Sequence, residues 1–305
     1  MALRITEFFG FAPLDPEAYP FVAELSCPFV QHPCIKPRRG ACSFQQSSGE
    51  PVIACPNRLY AQNTVLSEIA EQAFGAGVVL TSAEVRAELS MSASFCGNEI
   101  AVFGKYWGRE LSIPQPRNEE GEEAGGFYID YVLARLDSLG RVSDFTAVEI
   151  QTIDTTGNYG EQSEAFFRRA QFTDARGITP GWSKSGLNWA NVSKRILPQL
   201  IYKGYVLRRE RLCSKGLFFV CPSTVLSKVR ARLGTKMLEY PIAAGTITFQ
   251  AYDLGPRPHS GGHRPLVKGD TFTTTVEQVA YAFVSPVNLP QMGVYERAIV
   301  AALAR

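Results

Sequence analysis

Histidine is scarce in this chain, with only His32, His259 and His263 among 305 residues. This scarcity disfavours a serine or cysteine hydrolase whose nucleophile depends on a catalytic histidine. No apolar run has the length needed to span a bilayer. Glu7 and Pro13 interrupt the first residues, where a secretory peptide requires an unbroken apolar stretch. We therefore expect a soluble protein of the cytoplasm.

Several familiar motifs are also absent. The sequence contains no Walker phosphate-binding loop, no dinucleotide fingerprint after a strand and no HExxH motif. A formal charge of +2 and a sequence pI of about 8.1 neither require nor exclude a nucleic-acid partner, because local basic patches matter more than the total. The 45% hydrophobic and 20% charged content fit a globular chain of one to three domains.

Four of the seven cysteines lie in one irregular stretch near the N-terminus. Cys27, Cys34, Cys42 and Cys55 have the spacing C-x6-C-x7-C-x12-C, in a segment rich in Pro, Gly, Ser and Gln. Such a segment cannot build its own hydrophobic core, but four thiolates around one tetrahedral metal would fold it. Zinc and iron both suit four sulfur ligands. His32 is a competing ligand, and four free thiols in a loop are the alternative.

The stretch from residue 127 to residue 160 predicts two strands joined by a tight turn at residues 136–140. A turn centred after Ser138 sets Asp130 opposite Ala147, with Glu149 as its diagonal neighbour on the same face. Gln151 follows Glu149 on that face because side chains alternate along a strand. The opposite face then carries five apolar side chains that form a plausible core, namely Ile129, Tyr131, Leu133, Val148 and Ile150.

Two carboxylates on one face of a hairpin can be interpreted as a metal site or as a solvent-exposed surface. Diagonal neighbours lie roughly 7–8 Å apart, so Asp130 and Glu149 could converge on one Mg²⁺ ion. A water bound to that metal could attack a phosphodiester. The simpler interpretation is the solvated face of an ordinary hairpin.

These residues resemble a known family. Asp130 followed by Glu149-Ile150-Gln151 looks like a variant of the PD-(D/E)xK nuclease signature. The run EIQTIDTTGNYG, together with the four cysteines, resembles the NotI and EagI type of type II restriction endonuclease. Ile129 stands where the general signature has proline, and Gln151 stands where it has lysine. The glutamine is shared with the NotI group, and as a neutral amide it can only hydrogen-bond the attacking water.

The resemblance implies a fold, an activity and cofactors. The fold would be a PD-(D/E)xK core, a mixed sheet flanked by helices over residues 76–305, beside a four-cysteine metal module over residues 1–75. Asp130 and Glu149 would bind catalytic Mg²⁺, and Gln151 would position the water. The four cysteines would bind a structural iron, with zinc as the alternative. Related nucleases often add an upstream glutamate, for which three positions are candidates: Glu68, Glu99 and Glu119.

The resemblance also implies the substrate and the partners. The expected target is double-stranded DNA with a GC-rich palindrome. The expected recognition sequence is CGGCCG, cut to leave GGCC 5′ overhangs. A palindromic target implies a homodimer, and a cognate methyltransferase would protect the host. A non-catalytic DNA-binding regulator and a repair nuclease without sequence preference are the alternative functions.

Basic side chains in three segments are candidates for DNA contacts. Arg168 and Arg169 lie within a predicted amphipathic helix from Glu161 to Phe172, and Lys184 lies in the loop GWSKSG. Arg257 and Arg264 lie in a Gly- and Pro-rich loop predicted to be flexible over DNA, where either could read guanine N7 and O6. The last predicted helix, VYERAIVAALAR, is expected to be core or dimer surface.

Overall fold

The computed structural model describes residues 2–36, 40–47, 49–84, 95–114, 126–234, 236–259 and 261–304. Its strands are β1 Leu3–Phe8, β2 Ala41–Gln46, β3 Val52–Ile53, β4 Val79–Ser82, β5 Glu99–Gly104, β6 Leu111–Ile113, β7 Phe127–Ile129, β8 Tyr131–Leu136, β9 Val142–Ile150, β10 Thr155–Thr156, β11 Gly186–Leu187, β12 Leu217–Cys221, β13 Thr246–Leu254 and β14 Leu266–Thr275. Its α-helices are α1 Tyr19–Glu24, α2 Thr64–Phe74, α3 Gly160–Phe167, α4 Leu197–Arg208, α5 Ser223–Leu233, α6 Val276–Val284 and α7 Val294–Leu303.

A large mixed sheet organises these elements. Its seven strands run in the order β14-β13-β12-β9-β8-β5-β4. β8 and β9 form the antiparallel hairpin expected from the sequence, and β5 pairs antiparallel with β8. β12 lies between β9 and β13 and is parallel to both. This mixed sheet with helices on both faces is consistent with the predicted nuclease fold.

The two faces of the sheet are covered by different helices. Val148 and Ile150 of β9 share one hydrophobic cluster with α2, whose apolar stripe is buried as its spacing predicts. Ala147, on the other face, shares a second cluster with α4, α5 and α6. The central strand β12 is buried along its whole length, as its uninterrupted apolar sequence predicts.

The N-terminal residues form a small antiparallel sheet in the order β1-β2-β3. Phe8 of β1 stacks on Phe166 of α3 with ring centroids 3.9 Å apart. Beneath this sheet the Glu7 carboxylate lies 3.9 Å from the Arg58 guanidinium, and both side chains are buried. The boundary between a cysteine module and a nuclease core at residue 75 remains a prediction, and α2, which precedes it, packs on the central sheet.

Some elements end or behave differently from the sequence expectations. α3 stops at Phe167, so the two arginines after it lie beyond the helix. A π-helical turn at residues 192–196 leads into α4, and Pro198 lies in the first turn of α4, where proline is tolerated. α7 is not core, since all ten of its residues are exposed. Within the described ranges, no helix is long and apolar enough to cross a membrane.

Candidate functional site

The β8–β9 hairpin brings the two predicted carboxylates together. Tyr131 pairs with Val148, so Asp130, the residue before β8, comes opposite Glu149. The sequence expectation had Asp130 opposite Ala147, two residues away. An irregularity in the pairing between Arg135 and Leu136 shifts the register. Because the shift between the expected and observed pairing is two residues, both carboxylates stay on the predicted face.

Hydrogen bonds hold the two carboxylates in place. Asp130 Oδ2 accepts from the backbone N–H of Ile150 at 2.8 Å. Glu149 Oε1 accepts from the backbone N–H of Asp130 at 3.4 Å. Each side chain is therefore fixed by the neighbouring strand, and the two acidic groups lie next to each other.

Burial and mutual repulsion disfavour the charged forms of both groups. Burial raises the pKa of Asp130, opposed by the hydrogen bond from Ile150 and by the charge of Lys203. Burial also raises the pKa of Glu149 to about 7, with the charge of Asp130 adding to the shift and Lys203 opposing it. The pair therefore holds a readily displaced proton near neutral pH and offers carboxylate oxygens, the ligands preferred by Mg²⁺.

The structure adds a lysine that the sequence did not single out. Lys203 of α4 extends its Nζ to within 2.6 Å of Glu149 Oε1, and both side chains are buried. Lys203 lies 54 residues beyond Glu149 in the chain, so the local signature could not reveal it. One signal was present: Lys203 interrupts the buried stripe between Leu200 and Leu207 of the helix. A cation in an otherwise apolar stripe requires a buried partner.

Gln151 lies one residue beyond the end of β9. Its backbone N–H donates to the Val220 carbonyl of β12 at 2.9 Å, and its side chain is half-buried. The next residue, Thr152, donates its hydroxyl to the Ala54 carbonyl at 3.1 Å. Ala54 directly precedes Cys55, so this bond joins the residues just after β9 to the cysteine segment.

The candidate upstream glutamates do not join the carboxylate pair. Glu68 accepts from the Tyr252 hydroxyl at 2.7 Å, on the sheet face covered by α2 and opposite Glu149. Glu99 accepts from the backbone N–H groups of Cys96 and Gly97 at 2.8 and 2.9 Å, at the far end of β5. Glu119 lies outside the described residues.

Another glutamate lies nearer the pair. Leu111 of β6 pairs with Ile129 of β7, so Glu110 comes opposite Asp130. The charge of Glu110 adds to the effect of burial in raising the pKa of Asp130, while Lys105 lowers it. The strand pairing that reveals Glu110 joins β6 and β7, which are well separated in the sequence, and no motif in the sequence marks it.

The four N-terminal cysteines lie near one another as free thiols. Cys27, Cys42 and Cys55 are buried, and Cys34 is half-buried. Burial raises the pKa of the Cys42 thiol well above its usual value, and the charges of the other three cysteines add to that shift. The backbone N–H of Gly40 donates to Cys34 Sγ at 3.1 Å. The donor set thus suits zinc or iron.

The four thiols are not arranged to coordinate a metal ion in this structure. In the part of the chain that the structure describes, no group of three or more His, Cys, Asp or Glu side chains is placed to hold a metal ion. His32, the competing ligand, stacks on Tyr106 with ring centroids 4.7 Å apart. The thiols match a metal site in their chemistry but not in their placement, and the metal remains an expectation.

The predicted DNA-contacting residues differ in their availability. Arg168, Arg169 and Lys184 are exposed. Arg169 lies over the ring of Tyr19, 4.5 Å from its centroid. Arg257 is exposed and lies 3.9 Å from the Asp15 carboxylate. These four side chains can reach a solvent-side partner.

Arg264 and its loop are held in place. Its Nε and Nη2 donate to the carbonyls of Gly255 and Leu254 at 2.6 and 3.1 Å. His263 packs against Phe11 with ring centroids 4.2 Å apart, and burial lowers its pKa. Arg264 thus donates to the loop's own backbone, and the flexibility of the loop stays a prediction.

One comparison with known protein families matches residues 98–215 of this chain. The matched segment contains the hairpin with Asp130 and Glu149, the loop with Lys184, and Lys203. The match identifies the chain as an enzyme, a site-specific deoxyribonuclease. The matching model is described as restriction endonuclease NotI, which supports a type II restriction endonuclease of the NotI type. The four-cysteine segment lies outside the match. A comparison with curated proteins found no match.

Proposed function

We propose that this enzyme cuts both strands of the palindrome CGGCCG in a Mg²⁺-dependent reaction and leaves GGCC 5′ overhangs, as an EagI-like enzyme would. The observation that carries the nuclease chemistry is the adjacent pair Asp130 and Glu149 on one sheet face with Lys203 against it. The specific sequence and overhang rest on the family resemblance.

Asp130 and Glu149 would hold the Mg²⁺ ion. The bound metal would supply an acidified water as the nucleophile and a positive charge beside the scissile phosphate. Asp130 is oriented by the Ile150 N–H, and Glu149 by Lys203. A cation that binds the pair offsets the repulsion from Asp130, which adds to burial in raising the pKa of Glu149, and displaces the proton held near neutral pH.

Gln151 would position the attacking water. Its half-buried side chain follows the end of β9, two residues beyond Glu149, and it offers a hydrogen-bond donor and an acceptor without charge. Gln151 therefore orients the water but does not change its acidity. Lys203 and Lys105 would supply positive charge that offsets the negative charge developing on the phosphate.

The four cysteines would hold a structural iron, with zinc as the alternative. Four thiols are near one another in a segment with little apolar sequence, which supports a metal that folds this segment. The hydrogen bond from Thr152 to Ala54 links the segment to the strand that carries Glu149. Loss of the metal would therefore also disturb the end of the catalytic strand.

Sequence reading would depend on cations that reach the major groove. Arginine and lysine are the side chains that best recognise guanine N7 and O6. Lys184 and Arg257 are our candidates for base contacts, and Arg168 and Arg169 for phosphate contacts. Arg264 was a further candidate, and its bonds to backbone carbonyls favour a role in holding the loop that carries Arg257.

Two copies of the chain would act together, since each copy carries one carboxylate pair and a palindrome presents two equivalent strands. A methyltransferase that modifies the same sequence would protect the host DNA. The homodimer places one active site at each strand of the target.

The first test is digestion of a plasmid with a single CGGCCG site, followed by end sequencing, in Mg²⁺ and in EDTA. One EDTA-sensitive cut with GGCC 5′ overhangs is the expected result. Cuts at another fixed sequence would refute the EagI-like specificity, and random cuts would favour a repair nuclease. Glu149→Ala is the control, which should bind the site and lose cleavage by several orders of magnitude.

A further inference from the structure

The C-terminal part of the chain exposes an unusual amount of apolar surface. We call this the C-terminal apolar surface, and it consists of Tyr281, Val284, Val287, Leu289, Met292, Val294, Tyr295, Ile299, Val300 and Leu303. Met292 is 97% exposed, Val287 87% and Leu303 83%. Together these side chains expose on the order of 1,000 Å², whereas the largest apolar patch of a typical monomer covers roughly 300–600 Å².

Helix α7 is too short and too exposed to be stable by itself in water. It has ten residues, all of them exposed. Isolated helices shorter than about 12–15 residues are marginal in water, and most helices are stabilised by packing an apolar face. At 100° per residue, Tyr295, Ile299 and Leu303 fall on one side of α7, and Ala301 on the opposite side. The exposed helix thus has an apolar side that lacks a covering surface within its own described chain.

A groove beside α6 offers a complementary shape. It encloses a cavity of about 450 Å³, lined by apolar side chains that include Leu233, Met237 and Tyr281. Lys236 also lines it, and α7 carries Glu296 of opposite charge. The same chain therefore presents a projecting apolar helix and an apolar groove with a positive charge at its edge.

We propose that the C-terminal apolar surface binds a second copy of this chain, with α7 of each subunit seated in the groove beside α6 of the other. The choice of a second copy rests on the proposed cleavage of a palindrome, which needs two active sites. Its size supports that choice, since a standard interface buries about 800 Å² on each partner. Reciprocal seating satisfies both features at once by two-fold symmetry.

This interface uses other residues than the proposed active site. Neither α7 nor the groove beside α6 contains Asp130, Glu149 or Lys203. Substitutions in α7 therefore change the association of subunits without touching Asp130 or Glu149.

The test measures the molar mass of the full chain in solution without DNA, by light scattering at roughly 10 µM, where dimers with Kd values of a micromolar or below persist. The wild-type chain of 33.6 kDa should run at twice its mass. Ile299→Glu should weaken the dimer by about 100-fold or more, because it places a charge at the centre of the contact. Ala301→Glu is the matched control on the opposite side of α7 and should remain dimeric.

Circular dichroism and thermal unfolding show whether Ile299→Glu remains folded. If Ile299→Glu does not fold, Leu303→Glu in the last turn of α7 is the second variant, since Leu303 is 83% exposed. A monomeric wild type, whether or not it binds lipid vesicles, would overturn the proposal. So would a dimer unchanged by both glutamate variants.

The outcomes separate the interface from the proposed function. A wild type that cuts CGGCCG, with both glutamate variants dimeric, refutes this interface and leaves the function standing. A dimer that α7 variants dissociate, with no cleavage of CGGCCG, supports the interface and refutes the specificity. If Ile299→Glu lowers double-strand cleavage and Ala301→Glu does not, the result supports the interface and the proposed function.

Discussion

Replacing Lys203 by methionine removes the ammonium that lies 2.6 Å from Glu149 Oε1 and keeps a side chain of similar length. Glu149 is 3% exposed, so its charge would then be buried beside Asp130 without a partner. Leaving one member of a buried ion pair uncompensated costs about 3–5 kcal/mol. Glu149 can avoid that cost by binding a proton, and we expect its pKa to rise further above 7 in the variant.

The loss of stability should depend on pH in a definite direction. Glu149 has a folded pKa of about 7, above the usual value of 4.5. Between those two values the folded chain binds a proton that the unfolded chain has released, so the free energy of unfolding falls as pH rises, by about 1.4 kcal/mol per unit. In wild type this fall ends near pH 7. In Lys203→Met it should continue above pH 7, up to the limit of about 3–5 kcal/mol.

Urea unfolding at pH 6 and pH 8.5 measures this effect. The variant should match wild type at the lower pH and be clearly less stable at the higher pH. Cleavage at pH 7.5 should fall about 100-fold and recover in part at higher Mg²⁺, because the metal competes with the proton on Glu149. Lys203→Arg, which keeps the charge, is the control. Equal stability of Lys203→Met and wild type at both pH values, with unchanged cleavage, would refute this account of the site.

Four further substitutions test the remaining parts of the structure. Cys42→Ser should lower the iron or zinc content of the purified chain, measured by elemental analysis, and a wild type without metal would contradict the cysteine site. Lys184→Ala should weaken DNA binding and lower the slope of log affinity against log salt by about 1. Arg264→Ala should instead lower the thermal stability with little change in that slope, because its guanidinium bonds backbone carbonyls. Arg58→Met should reduce the free energy of unfolding in urea by about 3–5 kcal/mol, and the added change Glu7→Gln should restore part of it, because the unpaired charge is then removed.

Local patterns were sufficient for much of the fold. The hairpin, the buried strand β12 and the apolar stripe of α2 followed from spacing alone, because each is defined by neighbouring residues. The face that carries Asp130 and Glu149 was also predicted, since alternation along a strand survives a register shift of two residues. The identity of the opposing residue was wrong, because an irregular pairing near Leu136 depends on the turn geometry.

Contacts between distant segments were not predictable in the same way. Lys203 reaches Glu149 only because α4 packs on the sheet at that point, and Glu110 comes opposite Asp130 only through the pairing of β6 with β7. The loop around Arg264 looked flexible because Gly and Pro dominate it. The structure adds contacts of this segment with Phe11 and with a carbonyl at its own base, which composition does not reveal.

The position of β12 between β9 and β13 has a consequence for the timing of folding. The β8–β9 hairpin closes a short turn, whereas β12 can join β9 only after the chain from Ile150 to Leu217 has closed a long loop. Lys203 lies within that loop, so its ammonium reaches Glu149 only in this later stage. We therefore expect nuclease activity to appear with the slowest phase of refolding, after the β8–β9 hairpin has formed. A newly made chain would then stay inactive until its C-terminal half has folded.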